Sequence, residues 1–175
     1  MSQRIPDLLD PWRFADQGKE VDGRIPLESM PRLSACLLDV SGQAGFNLRF
    51  ERDAQRRATL KGKIWADLIL ECQRCLEAVT LPVSTQVAIA FVEGQDQAAQ
   101  LPESLDPCLV TEGQVHFRDL IEDELLLALP QVAMHDDSEC PVPLIGTADE
   151  KPAEQDEQLE KNPFAVLAEL KHDKH

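Results

Sequence analysis

ATLKGKIWADLILEC, residues 58–72, alternates with a period of two. Leu60, Gly62, Ile64, Ala66, Leu68 and Leu70 fall on one side, and Lys61, Lys63, Asp67 and Glu71 on the other. That period is the signature of a β-strand with one buried face and one wet face. VTLPVSTQVAIAFVEG, residues 79–94, supplies a further long strand. CQRCLE, residues 72–77 at their junction, holds two thiols three positions apart, Cys72 and Cys75.

Upstream, LSACLLDVSGQAGFNLRFERD (33–53) predicts two strands joined through Ser41–Gly45 in a bulged or longer-loop hairpin. Phe46, Leu48 and Phe50 face one side of the return strand, and Asn47, Arg49 and Glu51 the other. VDGRIPLESM (21–30) reads as extended, held at an edge or in a turn by Pro26 and Pro31. Asp10 and Pro11 mark the cap and first position of a short helix that Gly18 closes.

Downstream, GQDQAAQLPESLDP (94–107) predicts a mobile surface loop. Leu109-Val110 and Val115–Phe117 would pair as short strands around Glu112-Gly113. RDLIEDELLLALP (118–130) then turns helical until Pro130, with Leu120, Ile121, Leu125 and Ala128 buried and Glu122, Asp123 and Glu124 outward. The expected architecture is α+β over residues 1–145 as one domain. Long antiparallel strands dominate it, as an open barrel or curled sheet, with a few short helices.

GTADEKPAEQDEQLEK (146–161) is acidic and nearly free of large apolar side chains. It cannot bury enough surface to offset its ordering entropy, which predicts a disordered linker. KNPFAVLAELK then gives a short amphipathic helix over 162–171, with Asn162 as cap, Pro163 in the first turn, and Phe164, Val166, Leu167 and Leu170 as its apolar face. A helix so short needs a surface to dock on, so these six residues are candidates for partner binding.

Aromatic residues make up only 5% of the 175, with no tyrosine, so aliphatic packing carries the core. MSQRIPDLLD lacks the pattern of a secretory signal, and no apolar run approaches the ~20 residues of a membrane helix. The expected setting is the cytoplasm, whose reducing conditions argue against structural disulfides among the five cysteines. Cys36 and Cys108 are expected to be buried as small apolar side chains. The net charge of −15 divides unevenly. Residues 1–75 carry 12 Lys and Arg against 11 Asp and Glu, while residues 76–175 carry 5 against 21.

Three kinds of chemistry can be set against this pattern. Two thiols on one tight turn suit adjacent corners of a tetrahedral zinc site. The remaining ligands would come from HDDSEC, as His135 and Cys140, across 59 intervening residues. The set Cys72, Cys75, His135 and Cys140 would hold one structural zinc; a solvated His-Asp-Asp loop is the plainer alternative. Thiol redox chemistry is weaker, because such pairs favour a strand-to-helix junction. Hydrolysis lacks an H-E-x-x-H or G-x-S-x-G motif, no small-molecule substrate is evident, and no enzyme is expected. A separate feature is basic. Arg49, Arg52, Arg56, Arg57, Lys61 and Lys63 cluster within 15 residues, offset by Glu51 and Asp53. Such a hairpin face suits RNA phosphates, or merely solubility.

LECQRCLE, then IEDELLLALP followed by HDDSEC, then KNPFAVLAELK occur in that order. Together they resemble the YceD family of large ribosomal RNA subunit accumulation proteins. The resemblance spans most of residues 60–171, and the opening DPWRFADQG fits as well. It implies a non-enzymatic ribosome biogenesis factor needed for synthesis, processing or stability of the large-subunit ribosomal RNA. Its partners would be that RNA or its precursor particle, and basic ribosomal proteins; the alternative is a zinc-clipped protein-binding adaptor with no RNA contact. Many members carry additional cysteines in the region matching Cys140, as in a metal-binding cluster. The resemblance thus implies either zinc here or a branch that has lost the metal and kept its cysteines for packing.

Overall fold

A 15-residue strand and a 14-residue strand, joined through the CQRCLE turn, form the spine of the molecule. The structure, a computed structural model, describes residues 6–142. The chain divides into two units, Met1–Pro143 and Leu144–His175, of which only the first lies among the described residues. The elements run β1 (Leu8–Leu9), α1 (Pro11–Asp16), β2 (Glu20–Pro26), a 3-10 turn (Leu27–Ser29), α2 (Pro31–Ser34), β3 (Gln43–Arg52), β4 (Ala58–Glu71) and β5 (Ala78–Val92). They continue through α3 (Gln95–Ala98), β6 (Asp106–Leu109), β7 (Val115–His116) and α4 (Phe117–Leu127). The acidic linker and terminal helix expected over 146–161 and 162–171 lie outside the described residues.

The main sheet is open, in the order β2-β3-β4-β5-β6, and β1 pairs separately with β7. The class is therefore α+β, with strands dominant. Alternation places Phe46, Leu48 and Phe50 of β3 and Leu60, Ile64, Ala66, Leu68 and Leu70 of β4 in the core, as their spacing requires. α1 and α4 pack on the inner side. Phe50 sits at the centre of an aromatic cluster, edge-on to Phe14 at 5.2 Å and stacked with Phe91 at 6.0 Å. Phe117, the first residue of α4, meets Phe46 edge-on at 5.3 Å and ties the helix to the sheet. α1 begins as its sequence demands, with the Asp10 carboxylate accepting from Arg13 N–H at 3.0 Å and Pro11 at the first position.

Five expectations need correction, the last of them at Glu122. The first strand of the predicted 33–53 hairpin does not form. Its start is helical, and β3 pairs instead with β2 and β4. The buried residues here are Leu27, Met30 and Leu33, three apart, which is a helical spacing, while Leu38 and Val40 stay exposed. Pro31, at the first position of α2, also has no N–H to donate to a ladder. Second, residues 94–107 contain α3 and lead into β6, which joins β5 in parallel. Third, Thr111 and Gln114 do bridge across Glu112-Gly113, but the pairing stops there because β7 takes β1 as its partner. Fourth, Cys36 is exposed; all five cysteines are free thiols.

Glu122 was expected to face outward and is 1% exposed. One of its carboxylate oxygens accepts from the backbone N–H groups of Arg32 at 2.6 Å and Leu33 at 2.9 Å. The other accepts from the Arg32 guanidinium at 2.9 and 3.1 Å. α2 offers unsatisfied N–H groups at its start, and a carboxylate from α4 closes them. The two helices are thereby locked together.

Candidate metal centre

The β4–β5 connection is a six-residue knuckle built around Cys72. Cys72 N–H donates to Glu77 O at 2.8 Å, and Leu76 N–H donates back to Cys72 O at 2.8 Å. To close so tightly, Leu76 adopts φ 63°, the left-handed region that a β-carbon disfavours. The turn thus presents both thiols on one side, with Cys72 buried and Cys75 half-buried.

The second half comes from the chain after α4. Gln73 N–H donates to Ala133 O at 2.8 Å, which lays residues 133–140 along the knuckle. Glu139 and Cys140 N–H groups both donate to Asp136 O, a turn that returns Cys140 toward His135. Ligand atoms of Cys72, Cys75, His135 and Cys140 all lie within 4.8 Å of one another. Tetrahedral zinc with thiolates needs sulfurs roughly 3.8 Å apart, so only a small contraction separates the cluster from a metal's coordination sphere.

The surroundings suit that role. His135 Nε2 faces Ala78 O at 3.1 Å, and Nδ1 faces Cys75 Sγ at 3.4 Å. A carbonyl accepts only, so Nε2 carries the proton and Nδ1 keeps its lone pair for the cluster, the arrangement typical of metal-binding histidines. The Cys72 thiol is pushed up by burial, but backbone N–H groups of Cys75, His135 and Arg74 outweigh this and bring it to about 5. Burial likewise raises the Cys140 thiol, and the Val142 backbone and the Arg74 side chain turn the balance downward. Burial raises Cys75 with the neighbouring thiols acting in the same direction, and hydrogen bonding to Cys72 raises His135. Thiolate, the form a metal takes, is favoured at two of the three cysteines. Three sulfurs and one imidazole are a zinc-type donor set, and the four residues could hold a metal such as zinc.

Arg74 was not singled out by its sequence position as an organising residue. Its side chain is 11% exposed and reaches out of the knuckle to three groups of the opposite segment. It donates to Cys140 Sγ at 3.0 Å, Asp137 Oδ1 at 2.9 Å and His135 O at 3.3 Å. The only signal available beforehand was a cation between two thiols.

The six basic residues lie on and around the β3–β4 hairpin. Arg49 and Lys61 are direct cross-strand partners on the outer face, and Lys63 is opposite Asn47. Arg56 sits in the turn with φ 64°. Several are already paired. Arg49 meets Glu20 and Glu51, Arg52 meets Asp16 at 2.7 Å, Arg57 meets Asp53 at 2.6 Å and Lys61 meets Glu51 at 2.8 Å. Among the described residues, Arg56 and Lys63 have no such partner. The proposed partner-binding set from Asn162 to Leu170 lies outside the described residues. No helix among those described is long and apolar enough to cross a membrane.

Residues 60–171 match the family described as Large ribosomal RNA subunit accumulation protein YceD. A protein of that name from Haemophilus influenzae is 34% identical over 173 residues, covering 96% of this chain and 97% of its own. No solved structure matches the chain. With well over half of the sequence matched as a family and a full-length relative at that identity, the chain belongs to the YceD family.

Proposed function

We propose that the chain is a non-enzymatic factor supporting accumulation of the large-subunit ribosomal RNA. It would work by binding, with one structural zinc clipping the β4–β5 knuckle to the segment after α4. The observation that carries this reading is the 34% identity, sustained over 96% of the chain, to a relative named for large ribosomal RNA subunit accumulation. Deleting the gene in its host should lower large-subunit ribosomal RNA relative to small-subunit RNA, with rescue by the intact chain. An unchanged ratio would sink the proposal.

For RNA contact, the supporting feature is the outer β3–β4 face, where Arg49, Lys61 and Lys63 lie side by side, with Arg52, Arg56 and Arg57 at its end. Phosphate contacts predict affinity for the host's large-subunit ribosomal RNA that falls steeply as salt rises. Neutralising Arg56 and Lys63 should flatten that slope.

A second reading has its own observation. Four of the six cations already face carboxylates of the same chain, which favours an adaptor that contacts proteins and not RNA. Under it, neutralising Arg56 and Lys63 leaves rescue intact, while Phe164→Ala with Leu167→Ala abolishes it. Under either reading, metal analysis of untagged protein purified without chelator should give about one zinc per chain. The Cys72→Ser/Cys75→Ser variant should lose it.

A further inference from the structure

Among the described residues, β6 ends the sheet and pairs only with β5, so no described strand lies on its outer edge. Between that edge and α4 lie two adjoining cavities of about 540 and 660 Å³, sharing Cys108, Leu109, Leu120 and Asp123. Aliphatic side chains, among them Ile89, Leu120 and Leu126, form part of their lining. Leu8 at one end, Leu109 in the middle and Leu127 at the other remain 46%, 48% and 81% exposed. Large aliphatic side chains gathered along one open edge mark an interaction surface rather than scattered surface leucines.

The rim has one dominant sign. Glu112 and Asp119 border the first cavity, and Asp106 and Glu124 the second. None of these four has an ion-pair partner among the described residues, whereas Asp123 between them is held by Arg32. His116 is the one basic side chain among the lining residues. Glu124 also carries the cost of the arrangement, since burial, then Asp106 and Asp123, push its carboxyl up. A polyanion such as RNA is repelled here, and a cationic partner relieves the repulsion.

We propose that this groove binds a Lys- and Arg-rich segment of a partner protein, with apolar anchors in the two cavities and cationic side chains on the acidic rim. This goes beyond the reading of RNA accumulation and depends on neither the metal centre nor the basic hairpin.

The test uses the full chain, isotopically labelled, titrated with a synthetic ten-residue peptide of alternating leucine and lysine. A control peptide carries glutamate in place of lysine. Expected are amide shifts confined to β6, the 110–116 turn and α4, no shifts with the control, and binding that weakens as salt rises. Leu109→Ser/Leu127→Ser, at sites already about half or more exposed, should weaken binding at least tenfold with the fold intact. Asp106→Asn/Glu124→Gln should weaken it severalfold. Shifts confined to residues 146–160 would reduce the effect to charge attraction by the acidic stretch and overturn the proposal. It would equally fall if the groove's amides moved on Phe164→Ala without peptide, since the occupant would then be the chain's own 162–171 segment.

Discussion

Arg74 Nε donates to Cys140 Sγ at 3.0 Å, joining two segments 66 positions apart in sequence. The same guanidinium also holds Asp137 and the His135 carbonyl. A planar fork with donors in fixed directions can serve three acceptors at once, which a lysine ammonium on its flexible stem does poorly. Arg74→Ala and Arg74→Lys should both lower zinc affinity, by about 10–100-fold for alanine, the usual effect of losing a group that orients metal ligands. Competition against a chromophoric chelator measures this, with circular dichroism confirming the fold. Equal affinity in all three proteins would mean that Arg74 only decorates the knuckle.

Glu122 presents a different kind of dependence. Both of its oxygens are satisfied, by two backbone N–H groups and a guanidinium, in a site 1% exposed. Glu122→Ala leaves the N–H groups of Arg32 and Leu33 without their acceptor and opens a void. The expected loss is about 2–5 kcal/mol, from about 1–3 kcal/mol for each backbone donor left without an acceptor. Arg32→Ala should cost less, because the Arg32 side chain is half exposed and the two backbone donors still hold the carboxylate. Urea unfolding of the two variants ranks them, and the reverse order would refute this account.

The same contrast explains what could be read before folding. β4 was legible because apolar and polar residues alternate along most of its 14 residues. β5, which ends in four consecutive buried residues, was legible from its length of apolar and β-branched sequence. The C-x2-C pair is local, and HDDSEC could be matched to it by ligand chemistry alone. Burial of Glu122 was not legible, since its partners stand 89 and 90 positions away and an acidic helix face looks the same whether wet or dry. Residues 33–40 misled for a related reason. Leu33, Leu37 and Leu38 mimic a strand, but Leu33 is buried with Leu27 and Met30 at helical spacing. The parallel placement of β6 depends on where the 93–105 connection returns, which no short pattern encodes.

Gly45 and Trp65 are cross-strand partners, and the indole lies over the glycine. A β-carbon at position 45 would come within 2.4 Å of the ring. Gly45→Ala should therefore destabilise by about 1–3 kcal/mol, as overpacking does. In a Trp65→Ala background most of that penalty should vanish, because the indole is 40% exposed and supplies the three atoms nearest to that β-carbon. A double-mutant cycle in urea gives the coupling. Gly62→Ala is the control that Trp65→Ala cannot rescue, since its β-carbon would meet Asn47 O at 2.1 Å and its φ is 148°.

Glu124 gives a pH dependence with a definite sign. Burial first, then Asp106 and Asp123, raise its folded-state pKa above the unfolded value. An acid raised in this way favours folding while protonated. That contribution is complete below the unfolded pKa and is lost as pH rises through the folded one. Glu124→Gln stays neutral throughout, so its Tm should match the parent near pH 4 and exceed it at pH 7. Thermal unfolding at the two pH values tests this, and a gain that is the same at both would point to packing instead of charge. The substitution that stabilises should also weaken capture of the leucine–lysine peptide. A carboxylate kept at the expense of stability beside an open apolar groove is what a site for a cationic partner requires.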